Sequence, residues 1–157
     1  MPTVDYSVIL HQPIDTVWAA LTDFENTPQW QPEVIREWHT PPGPIQVGDH
    51  LHQIRTFRGR RVASTSEIKE YEPRRRMVNA SDPTVVPWMR TAYACEPCGE
   101  GTRLTFSIDL RGTGLFTLLS PLIRRALYRD VVTRFATLET YLTTQRRRPD
   151  APIIKSA

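Results

Sequence analysis

At Gly112-Thr-Gly114 the hydrophobic period of this chain changes, and the change dictates its architecture. Up to about residue 111 apolar and polar residues alternate. Leu104, Phe106, Ile108 and Leu110 stand against Arg103, Thr105, Ser107 and Asp109, the pattern of a strand with one wet face. Beyond it Leu119, Ile123, Leu127, Val131, Phe135, Leu138 and Leu142 recur every three or four residues, while Arg124, Arg125, Arg129 and Arg134 fall elsewhere. That is one long amphipathic helix. Pro121 fits either its first turn or a kink after an apolar lead-in. A sheet with one wet face must lay the other on something apolar, and only this helix is large enough. The expected fold class is α+β. A strongly curved antiparallel sheet of about seven strands wraps around the C-terminal helix, and the space between them becomes core or pocket.

Turn chemistry delimits the strands. Val4 to Leu10 opens the sheet, Val34 to His39 ends at Pro41-Pro-Gly-Pro44, and His50 to Phe57 ends at Arg58-Gly59-Arg60. Val62 to Tyr71 stops at Pro73, Arg75 to Ala80 at Asp82-Pro83, and Val86 to Glu96 turns at Pro97-Cys-Gly-Glu-Gly101 into Thr102 to Leu110. Between the first two strands, residues 13–32 read as a short helix, a break and a second helical turn. Pro13 is pre-set for the first helical position, Asp15 stands where the dipole favours an anion, and Ile14, Val17, Trp18 and Leu21 share one face. Phe24 and Trp30 flank the helix-start signal Asn26-Thr-Pro28.

A chain of 157 residues forms one domain and buries about 68–70% of its unfolded surface, so a core needs no disulfide or metal. Hydrophobic residues at 39% and charged ones at 24% are ordinary for a soluble globular protein. The domain is expected over residues 1–145, followed by a basic, loose tail over 146–157. No apolar stretch is long enough to span a bilayer and the N-terminus lacks a signal-peptide pattern, which points to the cytoplasm and to no stable membrane insertion. The formal charge of +3 resides largely in Arg146-Arg147-Arg148. With no basic-aromatic sheet motif beside it, it implies no nucleic-acid partner.

Six pieces follow one another along the chain: Pro13-x-x-x-Val17-Trp18 with Leu21 and Asp23-Phe24, Trp30-x-Pro32, Val47-Gly48-Asp49, Glu70-Tyr71-Glu72-Pro73, Gly101-Thr102-Arg103-Leu104, and the final helix. On these the chain resembles the START-like or SRPBCC superfamily, also labelled the polyketide cyclase/dehydrase and lipid-transport family, over nearly the whole domain. The resemblance implies the helix-grip fold, with two short helices after the first strand. It does not imply a chemistry, because such proteins include cyclases and aromatases, hydrolase-like members, and hormone and lipid binders. The matched residues read as scaffold: Trp18 and Trp30 supply buried area, Gly48 a turn and Pro73 a strand stop. No catalytic residue is carried over.

Function must then reside in polar side chains that interrupt an inward face, since a buried polar group needs a partner or a ligand. With Leu51, Gln53, Arg55 and Phe57 inward, Arg55 meets an anionic or carbonyl-bearing ligand; the opposite register puts Ile54 inside and Arg55 in water. Trp38, Trp88, Met89 and Tyr93 either stack on a flat hydrophobic ligand or fill the core. Asn79 and Ser81 are ligand hydrogen-bonders or exposed strand polarity. Phe106 from the last strand and Leu127, Val131 and Phe135 from the helix complete the candidate cavity lining, whereas Asp109 is assigned outward.

His50-x-His52 and His39 offer ligand types for a metal, but no carboxylate or helix-borne histidine pair completes a set, so none is expected. Cys95-Glu-Pro-Cys98 falls at a hairpin end and reads as two ordinary free thiols. No phosphate loop, nucleophile elbow or dinucleotide fingerprint is present, and no cofactor is expected. Leu115 to Ile123 followed by Arg124 and Arg125 reads as an amphipathic gate touching a membrane, or as a segment packed over the cavity mouth.

The leading expectation is a binding module for a hydrophobic small molecule (lipid, polyketide or aromatic-like), acting as monomer or homodimer. The alternative is an enzyme of polyketide cyclase, aromatase or dehydratase type, in which Arg55 or Tyr93 polarises carbonyls or relays protons. A third reading is a non-catalytic protein-interaction domain on the same fold.

Overall fold

The computed structural model describes residues 3–146. The chain runs β1 (Thr3–Leu10), α1 (Ile14–Thr22), a 3-10 turn (Phe24–Gln29), β2 (Val34–Thr40), β3 (His50–Phe57), β4 (Arg60–Glu72), β5 (Arg76–Ser81), β6 (Trp88–Cys98), β7 (Gly101–Arg111), α2 (Leu115–Leu118) and α3 (Ser120–Arg146). Among the described residues seven antiparallel strands form one open sheet in the order β1-β7-β6-β5-β4-β3-β2. The long helix after the sheet is what the change of period implies, and with α3 as the grip the architecture is the helix-grip fold that the resemblance implies. Pro121 lies in the first turn of α3, and the apolar lead-in is the separate helix α2. The expected basic tail begins at the last residue of α3, and from residue 147 it lies outside the described residues.

One end of the sheet holds the core. Leu10, Val17, Trp18, Trp30, Leu104 and Phe106 are buried together with Val131, Phe135, Leu138 and Leu142 of α3. Phe135 meets the Phe106 ring at 5.3 Å and the Tyr6 ring at 6.0 Å. Each such side chain contributes about 1.5–3 kcal/mol by leaving water. Pro13 stands just outside α1 and accepts its first hydrogen bond, from the Val17 N–H at 3.1 Å. The 3-10 turn then packs on β2, and Trp30 fills the space beneath it. Between β3 and β4 a two-residue turn puts Arg58 at φ 50° and Gly59 at φ 75°, the left-handed pair a tight hairpin requires.

Two bulges decide which side chains point inward. In β2 the pairing shifts between Val34 and Arg36, so Val34 sits opposite Arg55 while Arg36 sits opposite Ile54. Unbroken alternation from Val34 would put Trp38 on the inner face. The extra residue sends Trp38 outward and brings Glu37, 7% exposed, inward. Trp38 therefore leaves the cavity lining: it stacks on His52 at 5.2 Å under the Arg36 guanidinium at 4.3 Å. In β4 a second shift between Ile68 and Glu70 puts the buried Ile68 and the partly buried Tyr71 on the same face. Trp88 leaves the lining as well. Met89 pairs with the inward Leu110, so its neighbour Trp88 faces out, covered by Arg111 at 4.7 Å and donating from Nε1 to the Ser81 carbonyl at 3.1 Å.

Candidate functional site

Because α3 packs on β1, the part of the sheet formed by β3 and β4 is left uncovered and a cleft of about 810 Å³ remains beneath the helix. Its walls are largely apolar and include Phe57, Val62, Val86, Met89, Leu110 and Leu127. The cleft runs into an inner chamber of about 70 Å³, and the two share Gln53, Arg55, Met89, Ile108 and Arg134. The volume is within the range that takes drug-sized ligands.

The inner chamber is the more polar of the two. Glu37 presents its carboxyl there, where Oε1 accepts a hydrogen bond from Thr27 Oγ1 at 3.1 Å and Oε2 accepts one from Gln53 Nε2. Burial raises the Glu37 pKa above the ordinary carboxyl value, against the lowering influence of those two donors and of the Arg134 and Arg55 charges. Arg55 sits on β3 beside it, in an ion pair of 3.5 Å with Glu33. Its own proton affinity is lowered first by burial and then by the positive charge of Arg134, although a guanidinium stays protonated throughout the physiological range. Arg134 reaches in from α3 with its Cζ 5.5 Å from the Phe106 ring centre, and its buried Nε has no hydrogen-bond partner among the described residues. Tyr93 from β6 lies alongside. Burial pushes its phenol up to about 12, with Arg134 acting in the other direction, so the hydroxyl remains a neutral donor.

A second hydrogen-bonded group lines the chamber. Asn79 Nδ2 donates to Ser66 Oγ at 2.7 Å, and Asn79 Oδ1 accepts from Thr91 Oγ1. The protein itself thus uses most of the Asn79 amide. Chemically the chamber offers two guanidiniums and a neutral phenol as donors, next to a buried carboxyl able to hold or release a proton.

Of the expected lining residues, Gln53, Arg55, Asn79 and Tyr93 meet in the inner chamber, and Leu127 and Phe57 border the outer cleft, Phe57 at its rim with 60% exposure. Phe106, Val131 and Phe135 belong to the core and are off the cavity wall: they are at most 1% exposed and packed on all sides. Glu37, Thr91 and Arg134 line the chamber without being among the candidates that the sequence suggests. Arg134, set off the apolar stripe by the sequence pattern, in fact points inward, because it lies seven residues after Leu127 and three after Val131 on the same helical face. Glu37 carried none, because the bulge that turns it inward has no marker residue.

Leu115, Leu118 and Leu122 are 66–75% exposed and do not pack over the cavity mouth. His50 and His52 share the outer face of β3, and His39 packs against Phe24. Among the described residues no three histidine, cysteine or acidic side chains form a metal-binding cluster. Cys95 is buried with its thiol pushed up to about 12, and both cysteines are free. No helix among the described residues is long and apolar enough to cross a membrane.

The comparisons agree with this geometry. No curated protein sequence matches the chain. A START superfamily protein from Mycobacterium smegmatis superposes with a TM-score of 0.75 at 15% identity, covering 91% of this chain and 98% of its own. A protein from Thermus thermophilus gives 0.75 at 19%, over 92% and 99% of the two chains. The di-domain ARO/CYC BexL of the BE-7585A biosynthetic pathway gives 0.73 at 19%, with 91% of this chain covering 47% of the longer one. These likenesses establish the fold. A family model described as polyketide cyclase / dehydrase and lipid transport matches residues 1–143, and the chain belongs to that family.

Proposed function

We propose that this protein binds a hydrophobic small molecule of lipid, polyketide or aromatic type in the cleft between its sheet and α3. One observation carries the reading. A cleft of about 810 Å³ with largely apolar walls ends in a compact group of charged and hydrogen-bonding side chains, so a ligand would be held by burial and oriented by polar contacts. Native mass spectrometry of protein purified without denaturation is expected to reveal a co-purifying small molecule. Titration with a neutral apolar fluorophore such as N-phenyl-1-naphthylamine is expected to saturate at one site per chain. Fluorophore binding that fails to saturate overturns the reading.

A cyclase, aromatase or dehydratase activity in the same cavity is the second reading. Glu37 favours it: a buried carboxyl with a raised pKa, beside Arg55, Arg134 and Tyr93, is positioned to exchange a proton with a carbonyl-rich ligand. The likeness to BexL is compatible with this chemistry. In an assay with a poly-β-ketone thioester, E37Q would abolish turnover while leaving fluorophore affinity intact. Equal turnover by both proteins removes Glu37 from the reaction.

A further inference from the structure

The inner chamber holds two guanidiniums beside acceptors that other side chains already use. Its acceptors are already engaged: the Glu37 carboxyl by Thr27 and Gln53, the Asn79 carbonyl by Thr91. Its donors are not. Arg134 forms no ion pair within 4 Å among the described residues, and its Nε is buried without a partner. Arg55 reaches only Glu33, at 3.5 Å, with both side chains about a third exposed (31% and 38%). The two arginines also act against each other, since the Arg134 charge lowers the proton affinity of Arg55. Placing like charges together in a half-buried site is unfavourable unless an anion comes between them.

The surrounding carboxyls do not supply that anion. Glu37 faces both guanidiniums, but among the described residues it forms no ion pair with either within 4 Å, and its two oxygens accept from Thr27 and Gln53 instead. Glu33 and Asp130 act on Arg55 from more exposed positions, Glu33 through the long 3.5 Å pair and Asp130 from the wall of the outer cleft, where water screens them. The chamber, at about 70 Å³, has room for a group of a few heavy atoms, and the apolar cleft opens directly onto it.

We propose that the inner chamber is a subsite for a carboxylate, carried at one end of a ligand whose apolar body lies in the outer cleft. The carboxylate takes charge-assisted hydrogen bonds from Arg134 and Arg55, and the Tyr93 hydroxyl is available to one of its oxygens. This deepens the hydrophobic-ligand reading and rests on it. A neutral ligand of the same shape leaves the guanidiniums without an acceptor.

Calorimetric titration at pH 8 with decanoic acid and with 1-decanol, both below their aggregation limits, tests the two readings separately. The acid is expected to bind about 10- to 100-fold more tightly than the alcohol, the range given by one charged hydrogen bond. Arg134→Met is expected to remove that preference, the acid losing at least about tenfold more affinity than the alcohol. Arg55→Met, at the more exposed position, is expected to reduce it without disturbing the fold, and Arg134→Lys to restore part of it. Equal affinity of the wild-type protein for acid and alcohol overturns the carboxylate subsite and leaves the hydrophobic cavity standing. Binding of neither overturns both. A preference for the acid that survives both Arg134→Met and Arg55→Met assigns anion recognition elsewhere and overturns the proposal.

Discussion

At the scale of single residues the most consequential position is Glu37, a carboxyl kept out of water by an accident of strand geometry and satisfied by Thr27 and Gln53. Its raised pKa has a definite effect on stability. A carboxyl whose folded value lies above its unfolded value of about 4.5 adds stability below that value and loses it as pH rises toward the folded value. The groups facing it are Thr27 and Gln53, which are neutral, and Arg134 and Arg55, which stay charged, so Glu37 alone titrates in this window. E37Q, which keeps the shape and never ionises, is therefore expected to match the wild type near pH 4 and to become relatively more stable as pH increases. Thermal midpoints of both proteins between pH 4 and 8 check this, and a difference independent of pH contradicts it. E37A is expected to cost about 1–3 kcal/mol at every pH, because two buried donors lose their acceptor. The neighbouring Arg134 was not read correctly: its charge set it apart from the apolar stripe with Arg124, Arg125 and Arg129, although its spacing to Leu127 and Val131 turns it inward. Glu37 was not legible, since alternation counted from Val34 places it on the wrong face.

At the scale of elements the strands and α3 were legible because period two and period 3.6 leave distinct traces, and turn residues bound nearly every strand. Register was not, because a bulge adds a residue without changing composition. That limit explains why Trp38 stood among the candidates, whereas Gln53 and Arg55 on the unbroken strand β3 share a face in either reading. The Gly101-Thr102-Arg103-Leu104 piece shows what such motifs encode. A Cβ on Gly101 would lie 2.4 Å from the Leu10 carbonyl oxygen, Thr102 Oγ1 donates to the Gln12 carbonyl at 2.8 Å, and Leu104 is fully buried. The motif locks β7 to the end of β1 and to the chain entering α1. Gly101→Ala is accordingly expected to cost about 1–3 kcal/mol in urea denaturation, since backbone rather than a flexible side chain must move. A cost near zero indicates that the β1–β7 pairing slides freely at that end. Phe135, packed between Tyr6 and Phe106, ties α3 to the sheet. Phe135→Ala is expected to cost about 3–5 kcal/mol by the same measurement.

At the scale of the whole molecule the fold divides into a packed end and an open end. α3 and the segment over residues 13–32 fill the first, whereas the second keeps a cleft of about 810 Å³ whose apolar lining has no protein partner across it. A ligand there acts as the missing part of the core, so binding and stability are coupled. At a ligand concentration of about 100 times Kd the folded state gains about 2.7 kcal/mol, which for a chain of this size raises the melting midpoint by about 5–10 °C. The same logic gives a test that needs no knowledge of the natural ligand. Leu127 borders the cleft from α3 and is only partly buried, so Leu127→Trp extends a side chain into empty space rather than into packed atoms. That variant is expected to keep or raise the wild-type midpoint while weakening a neutral apolar fluorophore at least about tenfold, because the indole occupies the volume the fluorophore needs. A lower midpoint with unchanged fluorophore affinity would mean that the cleft closes in solution and that the ligand body lies elsewhere. A retained midpoint with lost affinity locates it between α3 and the sheet, where the unfilled half of the grip lies open.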